Sequence, residues 1–250
     1  MNVISPDWPA PKHVRAITTT RHGGVSLPPF NSFNLGGHVG DAPADVAANR
    51  QQLREELSLP AEPYWLSQIH GTTVANLDND PGGMPEADAS TTRSTNTVCA
   101  VLTADCLPVL FCDQAGTQVV AAHAGWRGLA AGVLEATVAS FATPPEQIMA
   151  WMGPAIGPQA FEVGDEVRQA FCEVDPAAAE AFVAAPSEAN EKKWLADVYQ
   201  LARQRLAAVG VKNIYGGGRC TFTEADDFYS FRRDGKTGRM ASLVWIAGGN

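Results

Sequence analysis

Cys106 and His123 stand where a β-hairpin would set a thiol and an imidazole face to face. The stretch Thr103-Ala-Asp-Cys-Leu-Pro-Val-Leu-Phe-Cys112 is followed by Asp113-Gln-Ala-Gly116 and then Thr117-Gln-Val-Val-Ala-Ala-His123. An apolar run, a short Gly-containing loop and a second apolar run predict a hairpin. With residues 113–116 as the loop, Cys112 pairs with Thr117 and Cys106 with His123. Opposed side chains share a face of the sheet, with Cβ atoms roughly 5 Å apart. Such a pair can bind one metal ion or act as nucleophile and base. A register slip of one residue would send the two to opposite faces.

A catalytic zinc takes three protein ligands and keeps one position open. The five histidines are 13, 22, 38, 70 and 123. His70 closes an apolar run just before Gly71 and is the first choice for a third ligand, although a lone strand-end histidine is ordinarily a surface residue. His22 and His38 lie in Gly-rich loops, and His13, between Lys12 and Val14, is the weakest candidate. Asp105 precedes Cys106 and points to the opposite face, where it would orient a neighbour, cap a loop or transfer a proton. Arg127 follows His123 at the start of a helix, where an anion is favoured. Trp126 fits a stacking surface or a core position equally well. The segment Tyr229–Arg239 carries Arg232, Arg233, Lys236 and Arg239 beside Asp234, and reads as a solvated turn or a phosphate-binding loop.

The elements that must position these residues follow from apolar periodicity. Strands are expected at 14–20, 64–69, 98–102, 147–152, 213–215 and 242–246, besides the hairpin. Helices are expected at 45–57, from 128 to about 141, at 164–174 and at 191–209. Residues 30–41 and 77–86 read as loops, and 177–189 as a surface helix or loop. Strands and helices interleave with no long linker and no repeat. The expectation is therefore one α/β domain over residues 1–250 with a mixed sheet, since the hairpin is antiparallel.

Composition narrows the function classes. A hydrophobic fraction of 45% and a charged fraction of 18% suit a folded enzyme. A net charge of −9 argues against a broad nucleic-acid surface. No apolar stretch reaches the roughly 20 residues of a membrane span, and no signal segment is visible. Five cysteines without paired spacing favour reduced thiols and a cytoplasmic protein. Cys99, Cys112 and Cys172 read as core residues. No pattern indicates an oligomeric state.

Several motifs together resemble the YfiH family, called polyphenol oxidase or laccase-like and also a purine nucleoside phosphorylase family. They are Arg21-His-Gly-Gly-Val-Ser26, Asn34-Leu-Gly-Gly-His38, Gln68-Ile-His-Gly71, Thr103-Ala-Asp-Cys-Leu-Pro108, His123-Ala-Gly-Trp-Arg-Gly128, Gly153-Pro-Ala-Ile-Gly157 and Ser230-Phe-Arg-Arg-Asp-Gly235. The resemblance covers nearly the whole chain. It implies an α/β sandwich of central sheets flanked by helices, and a zinc-type site of His70, Cys106 and His123. It further implies phosphorolysis of adenosine, inosine and methylthioadenosine, deamination of adenosine, and a link to editing of peptidoglycan precursors.

Three chemistries follow. In the first, zinc lowers the pKa of bound water towards about 7 for deamination, with Asp105 a candidate for proton transfer. Phosphorolysis requires a held phosphate, for which Arg21, His38, Gln68, Arg127 and Arg233 are candidates. In the second, two histidines and a cysteine take copper, which binds more tightly in general. A laccase also needs a histidine-rich multi-copper cluster, which five histidines without a His-x-His pair cannot build. In the third, Cys106 is a metal-free nucleophile with His123 as base.

Overall fold

The computed structural model describes residues 1–80, 82–186 and 192–248. Its centre is made of strands whose near-continuous apolar sequences are buried on both faces: β5 (Val98–Thr103), β6 (Leu107–Asp113) and β7 (Val119–Ala124). β6 and β7 are the middle of a six-stranded sheet, in the order β12-β8-β6-β7-β4-β3, with β3 (Val74–Asn76), β4 (Ala89–Thr92), β8 (Ile148–Met152) and β12 (Asn213–Gly216). β3 on β4 and β12 on β8 are parallel pairs, while the pairs among β4, β6, β7 and β8 are antiparallel. β5 belongs to an antiparallel four-stranded sheet with β1 (Val3–Ile4), β2 (Val14–Thr19) and β13 (Met240–Ile246).

Strand alternation assigns each side chain to a layer. Leu110, Cys112, Val119 and Ala121 meet Cys99, Val101, Val244 and Ile246 of the other sheet in one apolar cluster. The opposite face of the six-stranded sheet, with Leu107, Val109, Phe111, Val120 and Ala122, is covered by helices. These are α2 (Trp126–Ala131), α3 (Val133–Ala139), α4 (Asp165–Cys172) and α5 (Val198–Ala208), through Leu129, Leu134, Val167 and Leu201. The outer face of the four-stranded sheet, with Ala100, Leu102 and Leu243, is packed by Leu53 of α1 (Pro43–Glu56). The result is a helix–sheet–sheet–helix sandwich of mixed strands, as the resemblance implied. A small sheet of β10 (Phe182–Ala184), β11 (Lys193–Ala196) and β9 (Glu162–Gly164) lies beside it. No helix among the described residues is long and apolar enough to cross a membrane.

Register places one rim of the two-sheet gap. Thr103 at the end of β5 pairs with Met240 at the start of β13. Pro108 near the start of β6 pairs with His123 near the end of β7, and Ala89 at the start of β4 pairs with Ala122. These ends gather on one edge, and the chemistry is built there.

Four local expectations are corrected. The hairpin pairs Cys112 with Val119, not Thr117, so its register is shifted by two residues. The longer loop is held by Asp113, whose carboxylate accepts hydrogen bonds from the backbone N–H groups of Thr117 and Gln118. A shift of two preserves facing along the paired strands, but Pro108 and not Cys106 is the residue opposite His123. Residues 64–69 form no strand. They make isolated bridges from Tyr64 to Cys99 and from Ser67 to Glu86. The helix expected from 128 to 141 is broken into α2 and α3 at Gly132, whose φ of 102° no helix accommodates. The helix expected at 191–209 is β11 followed by α5, because Asp197 caps the helix by accepting from the Gln200 backbone N–H at 3.0 Å. Residues 187–189 and 191 of the expected 177–189 and 191–209 segments lie outside the described residues.

Candidate functional site

Cys106 sits on the turn between β5 and β6. Asp105 precedes it with φ at 89°, a left-handed conformation costly for a residue with a side chain. Three bonds hold it. Its carboxylate accepts from Thr221 Oγ1 and from the Arg232 backbone N–H, both at 2.7 Å, and its carbonyl accepts from the Ile156 N–H at 2.9 Å. This anchored turn swings Cys106 over the end of β7, where His123 projects into the gap between the sheets. His70 arrives from the other side on its own left-handed residue, φ 61°. Its Nε2 lies 3.8 Å from Cys106 Sγ, and its ring meets the His123 ring edge-on at 4.8 Å between centroids. The ligand atoms of His70, Cys106 and His123 all lie within 4.8 Å of one another.

Asp88, just before β4, organises two of the three. It is fully buried. Its Oδ1 accepts from His123 Nδ1 at 2.8 Å and from the His70 backbone N–H at 2.9 Å. Its Oδ2 accepts from the N–H groups of Gly71 at 2.6 Å and Ile69 at 3.2 Å. One carboxylate thus fixes the His123 tautomer, leaving Nε2 for the site, and shapes the loop that presents His70. Gln68 fastens the same loop to β5. Its amide donates to the Leu102 carbonyl at 2.8 Å and accepts from the Leu102 N–H at 2.7 Å. These side-chain bonds stand where strand pairing was expected. Two glycines leave the necessary space. A Cβ on Gly125 would come within 2.6 Å of His70 Cδ2 and 3.2 Å of Cys106 Sγ. A Cβ on Gly128 would come within 2.9 Å of the Gly71 carbonyl.

Electrostatics polarise the trio. Burial alone would raise the Cys106 thiol, but the charge and hydrogen bonds of His123 and His70 pull it down to about 6. Burial likewise opposes charge on His123, yet Cys106 and Asp88 push it up to about 9. Asp88 is held below the usual carboxylate range because hydrogen bonds from His123, Gly71 and His70 outweigh its burial. A thiolate beside two imidazoles, one backed by a carboxylate, with space kept clear by Gly125, fits a divalent ion with three protein ligands.

The trio floors a cavity of about 330 Å³ that is also lined by His38, Thr103, Phe161, Phe231, Arg232 and Arg239. Of the expected site residues, His38, Gln68, Asp105, His70, Cys106 and His123 all line it. Three arginines do not. Arg21 donates to the carbonyls of Asn31 and Ala225 in a separate surface depression. Arg127 is exposed and stacks on Trp126 at 4.3 Å. Arg233 spends its guanidinium on the carbonyls of Thr221, Phe222 and Phe228 and on Asp234. The cations at the cavity are Arg232 and Arg239 of the same basic segment. Sequence reasoning missed Asp88. The one available signal was a lone carboxylate within the small, uncharged run Ala87 to Thr92.

The family model described as multi-copper polyphenol oxidoreductase laccase matches residues 15–247. The Escherichia coli K12 protein named purine nucleoside phosphorylase YfiH is 59% identical over 98% of this chain and 98% of its own. A Pseudomonas aeruginosa purine nucleoside phosphorylase is 56% identical over 97% and 98%. A crystal structure from Neisseria meningitidis superposes with a TM-score of 0.94 at 53% identity, covering 99% of this chain and 100% of that one. YlmD from Geobacillus stearothermophilus gives 0.88 at 32% identity, covering 99% and 97%. Similar along its whole length to these proteins in sequence and in fold, the chain belongs to the YfiH family.

Proposed function

We propose that this chain is a metal-dependent purine nucleoside phosphorylase, with zinc at His70, Cys106 and His123. The observation that carries the reading is a three-donor metal site opening into a cavity that also holds two arginines and two phenylalanines. The relatives named purine nucleoside phosphorylase supply the substrate class.

Zinc held by these three side chains would supply Lewis acidity to the floor of the cavity. The chain's own residues do the rest. Asp88 keeps His123 oriented. Phe161 and Phe231 offer flat apolar walls for a purine. Arg232 and Arg239 offset the charge of phosphate. Phosphorolysis forms a bond from a phosphate oxygen to the ribose anomeric carbon as the bond to the purine nitrogen breaks. The electron pair leaves on the purine, which takes up the proton given up by the attacking phosphate. A metal held by these three side chains would also supply the water activation that deamination of adenosine requires, with the 6-amino group leaving as ammonia. Oxidation by a multi-copper centre does not fit, because His70, Cys106 and His123 form the one metal-holding group among the described residues.

The test is base release from inosine and adenosine by the metal-replete protein, with and without inorganic phosphate. Phosphate-dependent release with formation of ribose 1-phosphate is expected. Release that ignores phosphate, or survives rigorous chelation, would overturn the reading and leave Cys106 as a metal-free nucleophile.

A further inference from the structure

We propose that the oxyanion of inorganic phosphate is held at one end of the cavity by Arg239, Thr103 and His38, and not by Arg21, Arg127 or Arg233. This rests on the phosphorylase reading and assigns its second substrate a place.

Thr103 closes β5 and lines the cavity, 2% exposed, and its hydroxyl oxygen is buried without a hydrogen-bond partner. A buried hydroxyl left unpaired is costly, and a ligand oxygen in the cavity would satisfy it. Thr103 pairs across the sheet with Met240, so Arg239, one residue earlier, reaches the same rim of the cavity. Arg239 is held rigidly from behind. Its backbone N–H donates to Asn34 Oδ1 at 2.9 Å, and its Nη1 donates to the carbonyls of Thr237 and Gly238 at 3.0 Å each. Gly36 gives its stem room, since a Cβ there would come within 2.8 Å of Arg239 Cγ. Nε and Nη2 make no hydrogen bond among the described residues.

The anions facing this guanidinium are Asp105 and Cys106. Asp105 has both oxygens committed to Thr221 and Arg232, and Cys106 is committed to the metal site. A half-buried guanidinium with free donors and no ion pair of its own calls for an anionic ligand. His38 shares this end of the cavity, on the loop fixed by the same buried Asn34. Asn34 is braced in turn, donating to Asp41 at 2.8 Å while its carbonyl accepts from Asn49 of α1 at 2.9 Å. The Asn34-Leu-Gly-Gly-His38 motif and α1 thereby acquire a role: through Asn34 they hold both Arg239 and the His38 loop on the rim of the cavity.

The experiment measures KM for phosphate and KM for inosine in the metal-replete protein, together with the rise in melting temperature caused by inorganic phosphate. Arg239→Gln should raise the phosphate KM about tenfold or more, the equivalent of losing one charge-assisted bond, and abolish the phosphate-induced rise. Thr103→Val keeps the shape, removes only the unpartnered hydroxyl, and should raise the phosphate KM severalfold with its fold intact. The inosine KM and the metal content should not move in either variant, and Arg127→Gln should match the wild type throughout. Wild-type phosphate affinity in both Arg239→Gln and Thr103→Val would overturn this assignment while leaving the phosphorylase reading standing. A wild-type protein that needs no phosphate would overturn both.

Discussion

At the scale of single residues, Asp88 decides how well the site is made, although it touches no substrate. It is the carboxylate behind His123 and the hub of the loop carrying His70. Such outer partners of a metal ligand typically contribute 10- to 100-fold, roughly, in metal affinity. With zinc at the proposed site, Asp88→Asn should therefore release it to a chromophoric chelator about 10- to 100-fold faster, and the metal-free protein should also melt lower, because an amide nitrogen cannot accept the N–H bonds that one carboxylate oxygen holds. Unchanged release would mean that the carboxylate merely fills space. The sulfur and imidazoles at 106, 70 and 123 were legible in the sequence because few residue types bind metals and few histidines are present. Asp88 was not, because a solvated aspartate and a buried one look alike until the fold brings His123 against it.

At the scale of elements, facing proved more robust than register. The β6–β7 loop is longer than expected, yet the shift of an even number of residues leaves facing along the paired strands unchanged, and the anchored turn at Asp105 brings Cys106 to His123. Residues 193–208 were harder to read. Trp194, Val198 and Leu201 recur at helical spacing, but the first belongs to β11 and the others to α5. Asp197 is where the two periods separate. Its side chain accepts from the Gln200 N–H, an N-cap hidden inside what reads as one amphipathic run. Asp197→Ala should cost about 1 kcal/mol of unfolding free energy, readable as a lower denaturant midpoint at unchanged slope. A neutral result would imply that β11, and not the cap, starts the helix.

At the scale of the whole molecule, the apolar runs of β5, β6 and β7 announced buried strands but not which sheet each joins. A strand covered on both faces carries no alternation to read, so local pattern gave one mixed sheet where the chain builds two large ones and a small third. The gap between those sheets has a measurable consequence. Cys99 and Cys112 are both fully buried in it, and burial pushes each thiol up to about 12 from an ordinary value of 9.0. As pH rises above about 9, the unfolded chain gives up these protons while the native protein keeps them. The unfolded state then binds fewer protons, so stability must fall with rising pH, by about 1.4 kcal/mol per pH unit for each thiol. Below that range the two thiols are protonated in both states and contribute no slope. The buried phenols of Tyr199 and Tyr229 are also raised, but they add their slope only at higher pH. Denaturant midpoints measured from pH 8 to about 10.5 should thus decline steeply in the wild type. A Cys99→Ala, Cys112→Ala double variant should start lower, because of the space it leaves, and decline less. Parallel curves would show that the inter-sheet layer admits water, and would remove the tight seam on which the placement of His123 at its rim depends.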